Sequence, residues 1–108
     1  MARSFSHDLS MSGSPSEAQA RLRGALIERL RRSAAMRLAG EQPNSLTFRP
    51  RWSWPVLLAL YRMLSGEVVK VSFSAGEGGT QVAVSGKVAG NAEAVADREF
   101  WAEIVGTA

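Results

Sequence analysis

Val69-Lys70-Val71-Ser72-Phe73-Ser74-Ala75-Gly76-Glu77-Gly78-Gly79-Thr80-Gln81-Val82-Ala83-Val84-Ser85-Gly86-Lys87-Val88 decides the fold class. Apolar and polar residues alternate on both sides of a glycine-rich break. Period two is the signature of a strand with one buried face. The spacing predicts strands over 67–75 and 80–88, joined as an antiparallel hairpin by Gly76-Glu77-Gly78-Gly79. Val69, Val71, Phe73, Val82, Val84 and Val88 share the inward side. Gly86, inside the second strand, marks a bulge or a tight contact.

Upstream, Phe5, His7, Leu9 and Met11 alternate with Ser4, Ser6, Asp8 and Ser10, which predicts a first strand over 5–11. Ser14-Pro15-Ser16-Glu17 then reads as a helix start, with Ser14 as N-cap and Pro15 in the first turn. Ala18, Leu22, Leu26 and Leu30 recur at spacing four, which carries the helix to about Ser33. Gly24 interrupts it and suggests a close packing contact. Short strands follow over 36–39 and 45–49, with Leu46 and Phe48 on one face. Asn91 is placed as the cap of a last helix over 92–105, whose apolar side is Val95, Trp101 and Ile104.

Between the two hairpins lies Trp54-Pro55-Val56-Leu57-Leu58-Ala59-Leu60-Tyr61-Arg62-Met63-Leu64, read as a helix over 54–64 that Ser53 caps and Ser65-Gly66 ends. An ordinary surface helix has one apolar stripe. Here Trp54, Leu57, Leu58, Tyr61 and Leu64 fill one face, and Val56, Leu60 and Met63 much of the other. Such a helix is buried on several sides or meets a partner.

The element order is β-α-β-β-α-β-β-α. The expected fold is therefore α+β: an antiparallel sheet of about five strands with helices packed on one face. At 108 residues, residues 1–108 suit one small domain, and 45% apolar with 21% charged residues fits a globular chain. The opening strand with Ser14-Pro15-Ser16-Glu17, the strand Gly79-Thr80-Gln81-Val82-Ala83-Val84-Ser85-Gly86 and the closing helix together resemble a shortened START-like, or polyketide-cyclase-like, helix-grip domain. That resemblance implies a curved antiparallel sheet closed by a C-terminal helix, with a hydrophobic ligand held between them. The same string of elements also suits a TBP-like or ferredoxin-like variant.

Chemistry is sparse. Without cysteine the chain has no disulfide, thiolate metal site or cysteine nucleophile, which suits a reducing compartment. The N-terminus carries no apolar run of signal-peptide length, so the expectation is cytoplasmic. His7 is the one histidine. Its inward position predicts a packed ring with one hydrogen bond, not a general base. No Gly-x-Ser-x-Gly elbow accompanies it. Glu93 and Asp97 have no further ligand spaced to join them, so no metal and no cofactor is expected. Gly76-Glu77-Gly78-Gly79 lacks the Gly-Lys-Ser/Thr of a phosphate loop.

Charge is uneven. Residues 1–66 hold ten arginines against four acids, a net +6, and residues 67–108 hold three cations against six acids, a net −3. The arginines have no interleaved aromatics for base stacking and no nucleic-acid motif, which argues against nucleic acid. The expectation is a non-catalytic binding module. Its site is Trp52, Trp54, Leu57, Leu58, Leu60, Tyr61 and Met63, and its partner a hydrophobic small molecule or a protein, a homodimer included. The alternative is a peripheral protein of anionic membranes, with Arg49, Arg51 and Arg62 facing the surface beside the two tryptophans. The third expectation is a cyclase-like enzyme with His7 in a pocket.

Overall fold

A computed structural model describes residues 3–51 and 55–107. The expected Ser53 cap, together with Trp52 and Trp54, lies outside the described residues. The elements are β1 (Arg3–Met11), α1 (Pro15–Ala34), β2 (Met36–Gln42), β3 (Ser45–Pro50), α2 (Val56–Leu64), β4 (Val68–Gly76), β5 (Gly79–Val88), the 3₁₀ helix η1 (Gly90–Ala96) and α3 (Arg98–Thr107). The five strands form one antiparallel sheet in the order β1-β5-β4-β3-β2. The molecule is α+β, as the two hairpins require.

The β4–β5 hairpin lies at the centre of the sheet, in the register Val71↔Val84 and Phe73↔Val82. A two-residue turn, Glu77-Gly78, closes it, with Gly78 at φ +73°. Gly86 is a tight contact in an unbroken ladder. A Cβ there would meet the Val68 carbonyl and the Phe5 ring.

Chain order explains why β1 and β2 end up on opposite edges. Consecutive strands β2–β3 and β4–β5 pair as hairpins, while α1 crosses the sheet to carry the chain from one edge to the other. Ser14 caps α1, accepting a 3.3 Å hydrogen bond from the Glu17 amide. Ala18, Leu22, Leu26, Leu30 and Ala34 face the sheet and are buried, as spacing four demands. Gly24 is exposed, and an added Cβ would meet nothing within 4 Å. The packing contact expected there is absent, because Gly24 points to water.

The core is filled by Leu22, Leu26, Leu30, Phe48, Trp101, Val69 and Val71 of β4 and Val82, Val84 and Val88 of β5, all almost fully buried. The opposite face of the sheet carries Ser6, Ser10, Lys70, Ser72, Ser74 and Ser85 and stands open to solvent.

The C-terminal segment corrects a sequence expectation. A single helix over 92–105 is replaced by η1 and α3, with Asp97 extended between them. The break frees backbone carbonyls that a continuous helix would have bonded internally. Side chains take them up. Trp101 donates its indole N–H to the Val95 carbonyl at 2.6 Å, and His7 donates Nε2–H to the Ala96 carbonyl at 2.6 Å. Both bonds join the break to the core.

Candidate functional site

α2 spans nine residues, and seven of them are large apolar side chains exposed between 41% and 85%. Ala59 alone among its residues is fully buried. Exposure follows azimuth. At about 100° per residue, Leu57, Tyr61 and Leu64 lie within about 60° of one another and are centred opposite Ala59. They are also the three most exposed residues of the helix. Val56, Leu60 and Met63 form one flank, exposed by about two-fifths each, and Leu58 forms the other. The helix touches the body along a narrow line and turns its apolar breadth outward.

A polar clamp accounts for that orientation. Arg62 shares the inward side with Ala59, and its guanidinium pairs with the Glu67 carboxylate at 3.2 Å. The two side chains keep only 14% and 1% of their exposure. A second guanidinium nitrogen donates to the carbonyl of Ala34, the last residue of α1. A cation on the unsatisfied carbonyls at a helix C-terminus is favourable both as a hydrogen bond and against the helix dipole. Ala35, at φ +50°, ends α1 there. Ser65 and Gly66 then turn the chain from α2 back toward β4, with Gly66 at φ +76°. α2 is therefore pinned across the end of α1 by Ala59, Arg62 and Glu67.

The clamp corrects one expectation and adds a residue that sequence reasoning missed. Arg62 does not face an anionic surface, because Glu67 and the Ala34 carbonyl hold it inward. The alternation of β4 puts Glu67 merely at the opening of a strand. It is a buried acid, and the only signal in the chain was its position five residues after the lone cation of an apolar helix.

Of the remaining expected site residues, Leu57, Leu58, Leu60, Tyr61 and Met63 lie together on α2 and are exposed. Arg49 and Arg51 are exposed at the end of β3, beside the start of that segment. The helix begins at Val56, with Pro55 at the cap position, not at residue 54.

His7 does not sit in an open polar pocket. Its ring is half-buried, 5.8 Å from the Phe5 ring, and its Nε2 is committed to Ala96. Asp8 points to the opposite face and is exposed. An open groove of about 480 Å³ lies at the other end of the sheet, lined by Ser10, Ser12, Glu77, Thr80 and Gln81 among others. Glu77 is its one titratable side chain, too little for paired acid–base chemistry. Among the described residues no three His, Cys, Asp or Glu side chains gather as a metal site, and every buried side-chain polar atom has a partner. No helix among them is long and apolar enough to cross a membrane. On the surface of α1, Arg31 and Arg32 bracket Glu28, and the hydrogen bond and charge of Arg31 hold its carboxyl below the ordinary value.

Compared with known proteins, the chain matches no family model, no curated protein and no solved structure.

Proposed function

We propose that this protein is a non-catalytic docking module and that the outer face of α2 is its binding surface. The observation that carries this is the helix's exposure pattern: Leu57, Tyr61 and Leu64 face water while Arg62 faces inward. Monomers rarely leave apolar patches above a few hundred Å² uncovered, and larger ones mark interaction sites. In a START-like domain a ligand would lie between sheet and helices. Here Leu22, Leu26, Phe48 and Trp101 occupy that layer, which favours a surface over a cavity.

The double variant Leu57→Glu/Leu64→Glu tests the surface. Nile red, an uncharged apolar dye, should brighten with the wild type and lose that enhancement with the variant. Both changes are at exposed sites, so the unfolding free energy from urea titration should stay within about 0.5 kcal/mol of wild type. A variant that unfolds would show that α2 belongs to the core, and the docking role would be lost.

A further inference from the structure

We infer, resting on the docking role of α2, that the surface it docks onto is an anionic lipid bilayer, which the helix enters at the interface while a row of cations on the adjoining sheet end contacts the headgroups. The sheet register assembles that row. Lys87 of β5 pairs with Val68 of β4, and Arg49 of β3 pairs with Arg37 of β2. The β3–β4 register brings Phe48 opposite Val69, so Arg49 falls beside Val68. Lys87, Val68, Arg49 and Arg37 thus run across one end of the open face. Met36 pairs with Pro50, and the Arg51 amide donates to the Ala35 carbonyl, so Arg51 extends the row at the same end. The clamp from Arg62 to Ala34 fixes α2 at this end too. Strands distant in sequence therefore place Lys87, Arg49, Arg37 and Arg51 at the end of the sheet to which α2 is clamped.

Folding does not neutralise the row. Among the described residues, Arg37, Arg49, Arg51 and Lys87 form no ion pair. Arg37 and Arg49 are directly opposed across two strands, an arrangement that destabilises a sheet through like-charge repulsion. The buried acid at this end, Glu67, is already engaged by Arg62. An anionic partner relieves the repulsion. A second copy docked helix to helix would bring two such rows together and increase it. A bilayer also suits the helix. Nine residues rise about 13 Å, too short to span a hydrocarbon core but long enough to lie in the interface with leucines down. In sequence, Trp52 and Trp54, of a residue type enriched at bilayer interfaces, directly precede α2.

Vesicle flotation of the full chain tests the inference. Vesicles of phosphatidylcholine with about one-third phosphatidylglycerol should carry the protein, and phosphatidylcholine alone should not. Raising salt from about 50 mM to about 500 mM should release it, because screening shortens the reach of the arginines. Arg37→Gln/Arg49→Gln should weaken binding about 25-fold, at roughly fivefold per arginine near a charged leaflet. Leu57→Glu/Leu64→Glu should abolish binding while circular dichroism shows the fold intact. No flotation with anionic vesicles, equal flotation with neutral ones, or undiminished binding by the arginine variant would each overturn the lipid assignment. If the wild type ignores vesicles but still brightens Nile red through Leu57 and Leu64, the docking role stands and the partner is a protein. If both signals are missing, the docking role falls with it.

Discussion

At the scale of single residues, the buried pair Arg62–Glu67 has the most to explain. A buried ion pair adds little net stability, but removing one partner leaves a costly charge behind. Arg62→Ala strands Glu67 at 1% side-chain exposure and also frees the Ala34 carbonyl. The expected loss is about 2–4 kcal/mol in urea denaturation, the lower part of the range applying if α2 swings out and lets water reach Glu67. Adding Glu67→Gln to that variant should recover much of it, because a neutral amide is cheaper to bury. A recovery of nothing would mean that the pair's charge is not what matters there. His7 has a parallel role. Its hydrogen bond to Ala96 joins β1 to η1 over 89 residues of sequence, which is a structural use of the chain's one histidine.

Among the elements, α1 and α2 differ in what holds them. α1 is fixed by a buried stripe, and its outer face carries ion pairs such as Arg23–Glu41 at 2.8 Å. Gly24 contributes nothing to either face. Gly24→Ala should therefore stabilise the protein by about 0.5–1 kcal/mol, seen as a higher denaturation midpoint, since alanine loses less backbone freedom in a helix. A midpoint that falls would mean that something covers Gly24 in solution. α2 has no comparable stripe. One buried alanine and one clamped arginine hold it, with Val56, Leu60 and Met63 partly covered on one flank, so most of its apolar breadth serves its outer face.

Across the whole molecule, stability and binding surface are separated. The β4–β5 hairpin is central, paired on both sides, and buries Val69, Val71, Phe73, Val82 and Val84. α2 is peripheral. Amide hydrogen exchange should show β4 and β5 opening only with global unfolding, and α2 opening locally at much lower free energy. Arg62→Ala should speed exchange in α2 before it does so elsewhere. Uniform protection across α2 and the hairpin would contradict a weakly held helix. Arg3 and Lys87 share the α2 end of the sheet with Arg37 and Arg49. The hairpin turns Pro43-Asn44 and Glu77-Gly78 lie at the other end. The sheet is thus polarised, with Arg3, Arg37, Arg49 and Lys87 at the end that holds α2 and the hairpin turns at the other.

Local pattern was enough to specify the strands, the helix α1 and the inward faces, because periods of two and near four are local consequences of backbone geometry. Val71, Phe73, Leu22 and Leu30 are buried where those periods put them. Local pattern also located the apolar segment that became α2. It did not determine which side of α2 meets the body, because a helix apolar all round has no period to read, and the deciding contacts came from Glu67 and the Ala34 carbonyl. Nor did it reveal the break at Asp97, since the bonds that make the break tolerable come from Trp101 and from His7 at the far end of the chain. The cationic row was hidden for the same reason. Arg37, Arg49 and Lys87 are far apart in sequence, and only the pairing of four strands places them beside one another.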